Sequence, residues 1–423
     1  MLSLVPILAI GLSVQADTLR SRWTLAEYLA VVEAVNPELI AARERMAAAD
    51  ARIGPARRPA DPMVELGLMN RSLPGFGRNS PVAMDQIRVA QMLPTPGKLG
   101  ASTGAARERA SAAAEQFEET RRRLRWRAAA DLIELDRLDR VAALLASLAP
   151  ALRGLEDVAR SLYTVGEGQQ ADVLRAQLES ARLTEELVSL RGDRRAAVAR
   201  LNALALRAPD APIDSVTLPR FPDSLPPLDQ LVDRALRWRP VLAVHRATQR
   251  AAAFDRRRAA LDRWPDFEVG MAYGQQPMFD RAGTDRMLSL SVGATVPIWS
   301  GSRQRQVRRE AEAMERMAAA DFAVTQVETQ SRVAELAADA DRATALLALY
   351  SGTLLPQSRI AAASALASYQ TGRVDFDTVI EGQVAVIRAE LETIRFAADR
   401  QQVLIELEYL TAFPIGTVEG GSQ

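Results

Sequence analysis

The chain has 423 residues, of which 48% are hydrophobic, and its 53 basic side chains balance its 53 acidic ones. A neutral chain has no general electrostatic attraction to nucleic acid, so we expect no nucleic-acid partner. Cysteine is absent and His245 is the only histidine, which excludes disulfide frameworks, thiol catalysis, iron–sulfur clusters and Cys/His zinc sites. We also expect no cofactor, no metal ligands and no enzymatic activity.

The chain begins with an apolar run over residues 2–14, which is followed by Ala16 and Asp17. Its length and the small residue at its end are typical of a secretory signal peptide, so residues 1–16 are predicted to be a signal cleaved after Ala16. The alternative is a frayed N-terminal helix. No other run approaches the roughly 18 apolar residues that a membrane-spanning helix needs.

The rest of the chain consists of two copies of one unit. Pro37 aligns with Pro240, and at an offset only three residues larger Gly166 aligns with Gly372. A proline-dense segment between the copies cannot form a regular helix and is predicted to be a linker. The predicted organisation is a first repeat over 17–206, a linker over 207–227, a second repeat over 228–415 and a flexible tail over 416–423.

Each copy is predicted to contain two short helices, two strands, one long helix, a glycine break and a further helix. The strand signal is clearest around Leu288, Leu290 and Val292, which alternate with small polar residues in a period of two. The strands are expected at about 62–70, 85–94, 265–274 and 287–297. Each has the length of a tilted transmembrane strand.

The long helices carry the heptad pattern of a coiled coil. Apolar residues recur in steps of three and four from Leu124 through Leu132, Leu145 and Leu155 to Leu162. About 65 residues of helix span about 98 Å, which is far longer than an isolated domain needs.

The order of these elements and the motifs around the glycine breaks resemble the TolC-type outer membrane factors. Those proteins are the exit ducts of bacterial tripartite efflux pumps and type I secretion systems. The motifs are Leu162-Tyr-Thr-Val-Gly166, followed by Ala171-Asp-Val-Leu174, and Ser368-Tyr-Gln-Thr-Gly372, followed by Thr378-Val-Ile380. Gln91-Met-Leu-Pro-Thr-Pro-Gly-Lys98-Leu99 is similar to a segment of heavy-metal and related efflux members.

The resemblance implies a mainly α-helical fold with a transmembrane β-barrel portion. Three chains with four strands each would form a 12-stranded barrel in the outer membrane, and their helices would form a periplasmic tunnel. The implied partners are two further copies of the chain, a periplasmic adaptor protein, an inner-membrane transporter and outer membrane lipid. The implied function is that of a passive channel opened by the adaptor.

The resemblance also assigns roles to individual residues. The adaptor-docking tips are Tyr163, Gly166, Tyr369 and Gly372. The gate and constriction comprise Asp172, Tyr369, Arg373, Asp375, Asp377, Thr378 and Glu381, with a hydrogen bond expected between Asp172 and Tyr369. Pro150 and Pro356 are expected to bend the helices above the tips. The alternatives are glycine capping without docking, a solvated acidic helix face, and helix interruptions without mechanical role.

Two other functional classes are alternatives to a channel. A soluble periplasmic coiled-coil scaffold would share the helices but would not need alternating strands. A serine hydrolase would use Ser102 in Gly100-Ala-Ser102-Thr-Gly104, which matches a nucleophile elbow, although the chain lacks the parallel-sheet units of a hydrolase. Gly75-Phe-Gly77-Arg-Asn-Ser80 resembles a dinucleotide loop only weakly, and His245 is expected to be a packing or surface residue.

Overall fold

A computed structural model describes residues 21–71, 73–74, 82–278 and 283–412 of the chain. The predicted signal peptide, the predicted tail and the Gly75 to Ser80 segment lie outside these ranges. The contacts divide the chain into two compact units, which do not coincide with the sequence repeats. Among the described residues, the first unit comprises 21–40, 119–239 and 327–412, and the second comprises those within 41–118 and 240–326.

The fold is mainly helical. Ten α-helices occur in the described residues: α1 (Leu25–Val35), α2 (Pro37–Ala51), α3 (Ile53–Ala56), α4 (Lys98–Thr164), α5 (Gln170–Leu204), α6 (Leu228–Trp238), α7 (Pro240–Leu261), α8 (Arg305–Leu349), α9 (Leu355–Gln370) and α10 (Phe376–Thr411). π-Helical turns precede α8, over Ser300–Gln304, and α9, over Tyr350–Leu354. Within the described ranges, none of the helices has both the length and the apolar composition to cross a membrane.

The first unit begins with β1 (Arg22–Thr24), which pairs in parallel with β4 (Ser215–Thr217) from the proline-dense segment. Thr24 and Glu27 form a capping box that starts α1. Two long-range hydrogen bonds then attach this region to α5. The Tyr28 hydroxyl donates to the Leu201 carbonyl at 2.7 Å, and the Asn36 amide donates to the Leu204 carbonyl at 3.0 Å.

The apolar seam of α4 is the core of the first unit. Leu124, Leu132, Leu135 and Leu145 are all buried, as the heptad spacing predicts. Toward the glycine breaks, the buried cluster includes residues of α4, α5, α9 and α10. The helical hairpins are therefore held together mainly by burial of apolar side chains.

The second unit contains a four-stranded antiparallel sheet with the strand order β2-β3-β5-β6. The strands are β2 (Met63–Met69), β3 (Met84–Leu93), β5 (Asp266–Pro277) and β6 (Thr284–Thr295). These bounds lie within three residues of those expected from alternation. Strand β6 starts and ends earlier than expected, and β5 extends farther, because pairing between β5 and β6 continues to Pro277 and Thr284.

The two faces of the sheet differ in chemistry. One face carries Leu66, Val89, Val269 and Leu290, and these side chains are exposed. The opposite face is concave, and a cavity of about 300 Å³ on it is lined by Glu65, Gly67, Met69, Gln86, Arg88, Ala272, Ser289 and Ser291. The sheet thus has an exposed apolar face and a polar concave face.

Candidate functional site at the ends of the helical hairpins

The two helical hairpins, α4–α5 and α9–α10, have the same backbone geometry at their ends. Gly166 and Gly372 adopt left-handed φ angles of 78° and 68°, which glycine adopts without steric cost. Each glycine amide donates to the tyrosine carbonyl three residues earlier, at 3.1 Å for Gly166 and 2.9 Å for Gly372. The next amide in each hairpin donates to a carbonyl five residues earlier at 2.9 Å, which completes a Schellman motif.

The equivalent tyrosines of the two hairpins have different environments. Tyr163 is 46% exposed, whereas Tyr369 is 8% exposed and packs against Phe376 with ring centroids 5.3 Å apart. A repeat in sequence therefore does not produce a repeat in environment. The first hairpin presents its aromatic side chain to the surroundings, and the second buries it.

Asp172 lies beside the buried hydroxyl of Tyr369. Burial raises the pKa of Tyr369, and the negative charge of Asp172 raises that pKa further. The hydrogen-bond contact between this hydroxyl and the Asp172 carboxylate raises the pKa of Tyr369 as well. The structure thus brings together the two residues that the resemblance assigns to a latch.

An ion pair between Arg175 of α5 and Asp377 of α10 joins the two hairpins. Both side chains are about half exposed. Asp377, which the resemblance assigns to the gate and constriction, is therefore partly neutralised by Arg175. The sequence analysis did not single out Arg175, although it lies one helical turn after Asp172 and can share its face of α5.

The remaining gate candidates lie at the start of α10 or just before it. Arg373, Asp375, Thr378 and Glu381 are all exposed. Asp375 is the N-cap residue of α10, and its carbonyl accepts a hydrogen bond from the Thr378 amide at 3.1 Å. Acidic side chains are favourable here because the start of a helix carries partial positive charge.

The two prolines above the hairpin ends have different local structures. Helix α4 continues through Pro150, whereas Pro356 is the second residue of α9 and follows the π-helical turn Tyr350–Leu354. Proline cannot donate a backbone hydrogen bond, and the π-turn is one way in which a helix accommodates such an interruption. Of these two prolines, the one that follows a π-helical turn is therefore Pro356, in the second repeat.

The other candidate residues do not form a catalytic site. Ser102 lies inside α4 and not on a turn between a strand and a helix, so the nucleophile-elbow interpretation is wrong. His245 Nε2 lies 3.2 Å from the Thr325 hydroxyl, which is a packing role between α7 and α8. In the part of the chain that the structure describes, no group of three or more His, Cys, Asp or Glu residues could hold a metal ion.

The fold is similar to that of several solved outer membrane channels. VceC from Vibrio cholerae superimposes with a TM-score of 0.78 at 17% identity, covering 92% of this chain and 95% of that one. The outer-membrane channel OprN gives 0.77 at 18% identity, covering 92% and 89%. The open-state MtrE channel of Neisseria gonorrhoeae gives 0.73 at 16% identity, covering 92% and 88%.

A search of the curated proteins finds no match to the sequence. The family model described as "Outer membrane efflux protein" matches residues 30–205 and 231–412, and so covers both repeats. Together with the helical hairpins and the two-faced sheet, this match shows that the chain belongs to the outer membrane efflux protein family and is an outer membrane channel of a tripartite efflux pump.

Proposed function

We propose that three copies of the chain form the working channel. The observation that carries this proposal is the exposed apolar face of the sheet, where Leu66, Leu290 and Val292 are 77%, 79% and 78% exposed. An apolar face of this kind is unstable in water but is favourable against lipid tails. The same face argues against a soluble scaffold, which would have no lipid to cover it.

The edges of the sheet support closure by further copies of the chain. In the described residues, β2 and β6 each pair along one side only. Unpaired edges inside a membrane leave backbone groups without hydrogen bonds, which costs several kcal/mol per group. Pairing β6 of one copy with β2 of the next removes all edges, and three copies supply twelve strands. The polar concave face then lines the pore.

The end of the first hairpin is suited to an adaptor. Tyr163, Val165, Leu174 and Leu178 are large apolar residues there, and all four are exposed. Gly166 and Gly372 fix the two hairpin turns that we assign to the docking tips. On this proposal a periplasmic adaptor covers these side chains, and an inner-membrane transporter delivers the cargo.

The second hairpin contributes the gate. Tyr369 lies beside Asp172, and the Arg175–Asp377 ion pair joins the hairpins. Asp375 and Glu381 form an acidic ring when repeated around a threefold axis, and Thr378 lies between them. Such a ring attracts cations. Arg373 moderates its charge, and Pro150 and Pro356 bend the helices above it.

Conductance in planar bilayers tests this function. Tyr369→Phe combined with Asp172→Ala removes both members of the proposed latch, and we expect single-channel conductance to rise above that of the parent. Tyr163→Phe is the matched control, because Tyr163 is the equivalent tyrosine of the other hairpin and is exposed. A correctly assembled double variant with the conductance of the parent would show that the gate lies elsewhere.

A further inference from the structure

The apolar residues of the sheet are distributed unevenly between its two faces. Strand register places alternate residues of β2, β3, β5 and β6 on the concave face. On that face, every apolar side chain larger than alanine is methionine: Met63, Met69, Met84, Met92 and Met287. On the opposite face the apolar residues are valine, leucine, isoleucine, phenylalanine, tyrosine and proline, with Met271 as the single methionine.

Burial does not explain this choice of methionine. Met69 and Met287 are exposed, and Met84 is half-buried. Leucine would fill the same volume with less conformational freedom to lose. What methionine adds is a polarisable thioether sulfur, a donor that soft metal ions such as Cu(I) prefer.

Three of these methionines, Met69, Met84 and Met287, lie near the hairpin turns of the sheet. Met69 is directly opposite Met84 in the pairing of β2 with β3. Cβ atoms of directly opposite residues are about 5 Å apart, so both sulfur atoms can reach a shared ion. Gly274 is paired with Met287 in the β5–β6 ladder.

Gly274 leaves space between Met84 and Met287 on this face of the sheet. The Met84 side chain extends across this glycine, and a methyl group added there would lie only 3.1 Å from the Met84 sulfur. Because Gly274 has no side chain, the Met84 sulfur can lie over strand β5. Strand β5 is paired with β6, which carries Met287. Met69, Met84 and Met287 thus lie along one line across the sheet, with Gly274 between Met84 and Met287.

We propose that Met69, Met84 and Met287 form a transit site for soft monovalent metal cations, Cu(I) or the chemically similar Ag(I). The site rests on the proposed function, because the concave face meets cargo only if it lines a pore. In a trimer the line is repeated three times at one level of the pore. Exposed thioethers hold such ions without burying them, which suits passage more than storage.

Ag(I) titration of the purified protein in detergent tests the site directly. With methionine methyl groups labelled with ¹³C, silver nitrate should shift three signals that are missing from the Met69→Leu/Met84→Leu/Met287→Leu variant. The matched control is Met46→Leu/Met314→Leu/Met317→Leu, whose methionines lie on α2 and α8. Methionine-to-leucine changes conserve volume, so both variants should fold.

Channel recordings in nitrate salts supply the second measurement. We expect Ag(I) to reduce the potassium conductance of the parent and of the helix variant, and this block to be lost in the sheet variant. Methyl shifts that are absent, or no larger at the sheet than at the helix methionines, would overturn the proposal. Methyl shifts confined to the sheet in a protein that does not conduct would support the metal site and contradict the pore.

Discussion

Arg175 and Asp377 join the two hairpins through charges on exposed side chains. An exposed ion pair contributes about 0.2–1 kcal/mol, so three copies bias closure by at most a few kcal/mol. Arg175→Glu places two negative charges together and should raise conductance about tenfold. Arg175→Glu combined with Asp377→Arg restores opposite charges and should return conductance to the parent value. Equal conductance in the single and double variants would mean that this pair has no part in closure.

Tyr409 is a second residue whose environment leads to a testable prediction, in this case about its pKa. Burial raises the pKa of Tyr409 to about 12, the neighbouring Glu119 carboxylate accepts its hydroxyl hydrogen bond, and the ring stacks on Trp126. Because the folded pKa is raised, this contribution to stability is complete below about pH 10 and is lost as pH rises toward 12. The difference in tyrosinate absorbance between the parent and Tyr409→Phe should show one step near pH 12. A step near pH 10 in folded protein would contradict the assignment.

The residues of the site differed in how far sequence could predict them. The turn glycines follow from their position after helical periodicity, because only glycine readily adopts their left-handed backbone. The burial of Tyr369 and the exposure of Tyr163 did not follow, because both tyrosines lie in the same local motif. Arg175 and Asp377 are distant in sequence, so their pairing depends on how the hairpins pack, which periodicity does not report.

At the scale of elements, the junction between strands and helices depends on the single lysine. Lys98 is 12% exposed, and its ammonium group contacts Asp266 at 2.9 Å and Asp262 at 3.3 Å. The Thr95 amide donates to the same Asp266 carboxylate at 2.8 Å. Thr95 and Lys98 both belong to the Gln91 to Leu99 motif. Through these two residues the motif connects the end of β3 to the start of β5.

Lys98→Met should therefore weaken this junction. A hydrogen bond between charged groups contributes about 1.5–3 kcal/mol, and the midpoint of thermal unfolding in detergent should fall accordingly. Arg109→Met is the control, because Arg109 forms an exposed ion pair with Asp255 in the same unit. If both variants lowered the midpoint equally, the junction would have no special role.

Strands and long helices were predictable from periodicity, whereas irregular helix was not. The alternation around Leu290 identifies a strand because no helix has a period of two. The π-helical turn over Tyr350–Leu354 has no comparable signal, since the sequence around it keeps helical periodicity. Pro150 and Pro356 are equivalent in sequence, and only the structure shows that the second follows a π-turn.

At the scale of the whole molecule, two copies of one sequence unit do not form two separate domains. Each compact unit takes segments from both repeats, because helices such as α4 and α8 pass from one unit into the other. The sheet likewise alternates between repeats, with β3 paired to β5. The boundaries of the sequence repeats therefore show where the sequence was duplicated. The boundaries of the two compact units are instead determined by how the helices and strands pack.

The mass of the assembly in detergent tests the central proposal most directly. The sheet has two unpaired edges in the described residues and an exposed apolar face, which three copies of the chain would complete. Native mass spectrometry after release from detergent should give a species with three times the mass of the single chain measured under denaturing conditions. A stable single chain that stays monodisperse without detergent would contradict the trimeric channel.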